Sequence, residues 1–255
     1  MTLVLALMIN ILLFAVAYQR QTDRFTDITY ASTFAAVALV VYIFSSGSRG
    51  WVSAILLVLV GLWAFRLGTF LGRRIHRIGR DKRFDEIRPN FWKFGRFWTL
   101  QGLSVWIIMI PSTYLLALAP ENLKSLSAIG LVIWLAGFAI ETFADNQKFA
   151  FTQNPDNKGK WIESGLWKYS RHPNYLGEMM VWIGIYIFAL PYLSGWSALI
   201  ALISPLWICS LLLFVTGVPT TEQSADKKWG NDPRYKIYKK RTPVLIPAPQ
   251  LFRNN

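Results

Sequence analysis

Between Glu141 and Tyr186 the chain sets ionisable and amide side chains against long apolar runs, where charge is costly and usually faces a polar cavity. Glu141 and Asp145 are four residues apart and Lys148 follows three later, so on a helix all three share one face. That face is either a salt-bridged helix end or a pair of carboxylates and an ammonium offered to a polar ligand. Downstream, Tyr169-Ser170-Arg171-His172-Pro173-Asn174-Tyr175 opens the next apolar run. Proline at the first helical position presets φ, and the first turn leaves backbone N–H groups free for an anion. Arg171 and His172 just ahead can hold a phosphate, and Asn174 can hydrogen-bond an amide or a ribose. Glu178, one turn further in, needs a partner at that depth, which favours a ligand site over an ordinary capped helix.

The C-terminal tail has a related composition. Tyr235, Tyr238, Lys239, Lys240 and Arg241 precede Thr242-Pro243-Val244-Leu245-Ile246-Pro247. Interleaved aromatic and basic residues can stack on a planar ring while holding phosphates, or can grip lipid headgroups. In the first half, Asp27 stands at the mouth of the second apolar run and Arg66 lies within the third, where its long stem can still reach water. His76 reads as a solvated member of a basic loop. The single cysteine, Cys209, reads as core or lipid-facing, so the chain alone can build neither a disulfide nor a cysteine metal cluster. A Walker lysine loop, GxGxxG, HExxH, CxxC and GxSxG are all absent, which excludes the familiar soluble nucleotide folds and hydrolase elbows.

Membrane helices have to position these groups. The composition is 53% hydrophobic and 15% aromatic with a net charge of +13, and the mean hydropathy is +0.33. A hydrocarbon core of about 30 Å takes roughly 20 apolar residues per helix. Seven runs approach that length: Thr2 to Ala17, Thr29 to Phe44, Trp51 to Leu71, Trp98 to Leu118, Leu126 to Ala144, Tyr175 to Tyr192 and Gly195 to Val218. With seven spans, all but Arg49, Lys124 and Arg66 of the 27 Lys and Arg fall on one face, which predicts an outside N-terminus and a cytoplasmic C-terminus. Ala15-Val16-Ala17 resembles a signal-peptidase site, but the first run lacks a basic n-region and its removal would invert that bias. The expectation is an all-α polytopic membrane protein of about seven transmembrane helices, a single transmembrane domain over residues 1–255. Topology and anionic headgroups account for the basic charge without nucleic acid, so membrane lipids and a lipophilic small molecule are the expected partners.

The segment Gly165-Leu166-Trp167-Lys168-Tyr169-Ser170-Arg171-His172-Pro173-Asn174-Tyr175-Leu176-Gly177-Glu178 resembles the signature of the steroid 5-alpha-reductase-like membrane family, most narrowly its bacterial DUF1295 branch. The likeness extends through Glu141 to Lys148 and Tyr238 to Pro247, and in the first half rests mainly on helix count. It implies a bacterial inner-membrane protein in which helices five to seven and the tail hold NADPH at the cytoplasmic face, with helices one to four on the substrate side. The implied reaction is reduction of a carbon–carbon double bond conjugated to a carbonyl in a steroid-like or other lipid. Asp145, Tyr169, Asn174, Glu178 and Tyr238 fall on the family's cofactor positions, while Glu141 stands where steroid-reducing members usually carry asparagine. Lys148, Arg171, His172, Tyr235 and Arg241 suit a pyrophosphate and a planar ring, and Arg80 and Arg83 are expected at the 2′-phosphate. On the substrate side Asp27 is the nearest carboxylate match, and Trp63, three residues before the matching Arg66, replaces a tyrosine. An indole donates a hydrogen bond but is not a useful acid, so proton donation falls to Asp27, Tyr30 or water.

Two rival readings share parts of this pattern. A membrane methyltransferase of the isoprenylcysteine or phospholipid type, using S-adenosylmethionine, also has an Arg-His-Pro-x-Tyr turn, and Glu222 with Tyr235 and Tyr238 fits its tail. A non-enzymatic lipid-binding protein that keeps the fold without its acid is the other, and Trp63 is the residue that supports it.

Overall fold

Inside hydrocarbon a chain must close its backbone hydrogen bonds within each segment, and this one does so as helices. The computed structural model describes residues 1–45, 50–79, 81 and 84–246, with the side chain of residue 78 excepted. Its helices are α1 (Thr2–Gln19), α2 (Thr26–Phe44), α3 (Trp51–Ile78), α4 (Phe91–Ile108), α5 (Ile110–Leu118), α6 (Ser125–Gln153), α7 (Pro173–Ala189), α8 (Trp196–Ser210), α9 (Val218–Trp229) and α10 (Pro233–Arg241). Among the described residues six segments are long and apolar enough to cross a membrane, and α4 with α5 makes a seventh if the pair is one span. The protein is an all-helical, multi-pass integral membrane protein. Large apolar side chains such as Phe65, Phe214 and Val132 are exposed, as lipid contact requires.

Several helices depart from the lengths expected of them. The fourth span is bent by 48° rather than straight. Pro111 cannot donate a backbone hydrogen bond, so the ladder breaks where Met109 closes back on Val105 (2.9 Å) and Thr113 restarts on Met109 (2.8 Å). That span also begins earlier, at Phe91, because Asn90 caps it by accepting the Lys93 N–H at 2.9 Å. Lys93 and Arg96 are therefore helical, not loop residues. The last apolar run carries Pro205 within α8, passes through a π-helical stretch at Leu211–Val215, and continues as the polar helix α9.

The chain falls into two compact units, residues 1–128 with 185–204, and residues 129–184 with 205–255. In the first, Phe14, Phe84, Phe94 and Trp98 form an aromatic core. A buried polar seam ties three helices of this unit together. Asn10 Nδ2 donates to Thr33 Oγ1 (3.3 Å), while Gln101 Nε2 donates to Asn10 Oδ1 (2.9 Å) and to the Thr26 carbonyl (3.2 Å). A buried ion pair, Arg88 to Asp23 at 2.7 Å, holds the segment before α4 against the α1–α2 turn.

In the second unit α6 and α7 pack antiparallel through glycines seven residues apart on each helix. A Cβ on Gly177 would lie 2.5 Å from the Glu141 nitrogen, and one on Gly184 would lie 2.8 Å from the Gly130 carbonyl. This backbone approach, available only to small residues, sets Glu141 beside the start of α7. Replacing Gly137 or Gly177 by Ala is expected to cost about 1–3 kcal/mol through forced separation of the helices. Gly72→Ala, where an added Cβ meets nothing within 4 Å, should leave stability unchanged or slightly raised. Thermal unfolding of the purified variants in detergent measures both.

Candidate functional site

The second unit gathers most of the residues singled out in the sequence. Along α6, Glu141 and Asp145 are buried, and Lys148 one turn later holds its ammonium 4.6 Å from the centre of the Trp167 ring. Trp167 is fixed in turn by its indole N–H, which donates to the Ala144 carbonyl at 3.0 Å. The short 3₁₀ turn carrying it docks where Gln147 Oε1 accepts the Leu166 N–H (2.9 Å). Gly165 there adopts φ +59°, and a side chain at that position would collide with Gln147.

The turn into α7 is held on both its backbone and its side chains. The N–H groups of Arg171 and His172 donate to the carbonyls of Pro243 (2.9 Å) and Val244 (3.1 Å). The Arg171 guanidinium pairs with the Glu222 carboxylate on α9, and His172 Nε2 lies 2.8 Å from its other oxygen. Lys239 of α10 reaches the same carboxylate at 3.1 Å and Asp226 at 2.7 Å. His172 stacks on Tyr175 with ring centres 5.3 Å apart, and the Tyr175 hydroxyl bonds Thr221 Oγ1 at 2.9 Å. Burial pushes the His172 imidazole below its ordinary value, an effect that the hydrogen bond and charge of Glu222 only partly offset. The neutral ring therefore donates from Nε2 to Glu222. Arg171 and His172, expected at a phosphate, both meet Glu222 and both line the neighbouring cleft.

Beside this cluster is a cleft of about 290 Å³ whose walls include Trp161, Trp229, Tyr235, Lys148, Lys160 and Lys228. Trp161 meets Tyr235 edge-on at 5.3 Å, and Lys228 sits 4.4 Å from the Trp229 ring centre. The Tyr238 hydroxyl donates to the Trp167 carbonyl at 3.0 Å, and burial raises its pKa, so it remains a neutral donor. Among the described residues the buried Arg171 Nε and Trp161 Nε1 at this cleft have no hydrogen-bond partner, nor does Asn174 Oδ1 in the first turn of α7. Orphaned groups of this kind are costly unless a ligand or ion completes them. The aromatic faces and lysines of the cleft suit a planar molecule that carries negative charge.

The remaining sequence candidates are distributed differently. Tyr169 is half-buried with the Lys168 ammonium 5.6 Å from its ring, Glu178 is half-buried within α7, and Arg241 is exposed, 4.0 Å from Glu163. Asp27, Tyr30, Trp63 and Arg66 belong to the first unit. There Tyr30 and Trp63 each meet Phe34 edge-on at 5.0 Å. Trp63 is fully buried, and the Arg66 guanidinium lies 5.7 Å from the Phe70 ring. Arg80 and Arg83 lie outside the described residues. Trp161, Trp167 and Trp229 were missed, because tryptophans near apolar runs read as interface anchors. Glu222 counted only toward the methyltransferase pattern, and its signal is the run of five polar residues, Thr220 to Ser224, that follows Pro219 at the start of α9.

Residues 13–242 match the profile of the family described as Protein of unknown function (DUF1295). An uncharacterised protein of Schizosaccharomyces pombe is 25% identical over 219 residues, 73% of this chain and 60% of that protein. The Delta(14)-sterol reductase of Arabidopsis thaliana is 29% identical over 96 residues, 34% of this chain and 25% of that enzyme. The chain thus spans less than two thirds of the length of either relative. No solved structure matches significantly.

Removing the shared counterion by Glu222→Gln leaves buried Arg171 uncompensated and should cost about 3 kcal/mol, read as a lowered unfolding temperature. The linkage at His172 has a definite sign. The unfolded imidazole takes up a proton near pH 6.5 while the folded one resists it, so stability is full above that pH and falls below it. The loss approaches about 1.4 kcal/mol per pH unit, and His172→Gln should abolish that part of the slope between pH 7.5 and 5.5.

Proposed function

The chain belongs to the DUF1295 family, relatives of the steroid 5-alpha-reductase-like proteins, and from that premise we propose that it is a membrane-embedded NADPH-dependent reductase. Its substrate is a lipophilic molecule from the bilayer, steroid-like or another lipid, with a carbon–carbon double bond conjugated to a carbonyl. The observation that carries the reading is the second unit's cluster of buried carboxylates, an unsatisfied Asn174 acceptor and an aromatic cleft edged with lysines. Likeness to a sterol reductase over 96 residues supports it. The protein would sit in a bacterial inner membrane with this basic site facing the cytoplasm, where a soluble dinucleotide is available.

The chain's groups fit the dinucleotide in kind. Asn174 Oδ1 accepts from a carboxamide, Glu141 and Asp145 accept from ribose hydroxyls, and Tyr169, Glu178 and Tyr238 complete the surroundings. Lys148 and the lysines of the cleft offset phosphate charge, while Trp161, Trp229 and Tyr235 give planar surfaces for an aromatic ring. Glu222 keeps Arg171 and His172 in place, so their contribution is to shape the site. When bound, the cofactor supplies hydride. On the substrate side Asp27 and Tyr30, three residues apart on α2, hold the proton that the reduced carbonyl system takes up. Trp63 acts by packing on Phe34, and Arg66 is the nearby cation.

A second reading has one observation of its own. Glu222 does meet the Arg171-His172 turn, the combination noted for membrane methyltransferases. Titration of the purified chain in detergent separates the two. Protein fluorescence should respond to NADPH, and Asn174→Ala should weaken that affinity about ten-fold, the worth of one buried hydrogen bond. Unchanged affinity in Asn174→Ala removes the cofactor assignment, and saturable binding of S-adenosylmethionine instead moves the chain to the methyltransferase class.

A further inference from the structure

Trp92, Gly95, Arg96, Thr99 and Leu100 recur at three- and four-residue intervals and form one face of α4. With Ile11 and Phe14 of α1, this face lines a groove of about 390 Å³ in the first unit. Gly95 opens it. Its missing side chain lets Phe14 lie against the α4 backbone, where an added Cβ would stand 3.3 Å from the Phe14 ring. The groove belongs to two helices of membrane-spanning character, and its rim residues Ile11 and Trp92 are 51% and 80% exposed. A groove of this kind opens to lipid.

Its lining is apolar except for groups that hydrocarbon cannot satisfy. Arg96 is exposed along the groove, and among the described residues no carboxylate pairs with it. Trp98, also in the lining, is fully buried, and its indole N–H has no hydrogen-bond partner among the described residues. An unpaired guanidinium on a membrane helix calls for an anion, and an orphaned donor calls for an acceptor. Arg96 lies six residues beyond the Asn90 cap, about 9 Å along the helix axis. Phe91 and Trp92 mark the same end, and aromatic residues of this kind sit at headgroup level. The apolar stretch of α4 continues past Arg96 toward Ile108, parallel to where an acyl chain would run.

We propose that this groove is a binding site for one anionic phospholipid, its phosphate on Arg96 and one acyl chain laid along Ile11, Phe14 and Leu100. A guanidinium meets phosphate oxygens in a planar, two-pronged fashion. A zwitterionic headgroup brings its own cation to the same place and gains less, so the site discriminates by net headgroup charge.

Native mass spectrometry of the full chain in detergent, with equal phosphatidylglycerol and phosphatidylcholine, tests this. The wild type should retain one phosphatidylglycerol in about five-fold preference, the worth of one basic residue near an anionic surface. Arg96→Gln should equalise the two lipids and Arg96→Lys should keep most of the preference. Leu100→Trp, which fills the groove, should lose the retained lipid, and Lys236→Gln on the exposed tail should change nothing. Equal retention of both lipids by the wild type, no retained lipid, or a preference that survives Arg96→Gln overturns the proposal. Because Arg96 is exposed and unpaired, its replacement leaves the fold intact, so loss of preference there reads as loss of the site.

Discussion

The carboxylate of Glu222 receives Arg171, His172 and Lys239, and through them it joins the entry turn of α7, helix α9 and helix α10. The same elements are tied further by the bonds from the Arg171 and His172 N–H groups to the tail, by Tyr175 to Thr221, by Lys239 to Asp226 and by Tyr238 to the Trp167 carbonyl. The carboxylates of Glu222 and Asp226 balance Arg171 and Lys239 around a neutral His172, and Lys148, Lys160 and Lys228 add positive charge along the adjoining cleft. Lysines along an aromatic-walled cleft give it a positive local field. Removing one partner of such a cluster costs more than the cluster gains in stability, so its main effect is positional.

The membrane sets the other constraint. Apolar side chains gain nothing by turning inward from lipid, so helix pairs are held by close backbone approach and by buried polar bonds. The glycine seam of α6 and α7 and the Asn10–Gln101–Thr33 seam of the first unit are these two devices. The first also has a chemical consequence, because closing Gly177 onto Glu141 brings the α6 carboxylates level with the Asn174 turn. Among the described residues Arg96 has no carboxylate partner, and it lies exposed on α4.

Much was legible from the residues in order. Glu141, Asp145 and Lys148 share a helical face by spacing, and Pro173 starts α7 as its imide ring dictates. Hydropathy found the membrane segments, but it could not place the 48° bend, since Pro111 breaks a helix only to the degree that its neighbours let the freed carbonyls be satisfied. Arg171 and His172 are neighbours in sequence, whereas their partner Glu222 lies some fifty residues away and its approach depends on where the π-helical stretch ends. Trp63 stood out in the sequence as a replaced acid, yet it is fully buried against Phe34.

The order of apolar and polar residues thus determined by itself that the chain is helical, membrane-spanning and basic, because lipid permits few backbone solutions and tolerates charge in few places. Which charges neutralise one another was decided only in three dimensions. Pairing energy depends on distance and burial, and neither the proximity of Glu222 to Arg171 nor the lack of a carboxylate partner for Arg96 among the described residues is a property of position along the chain.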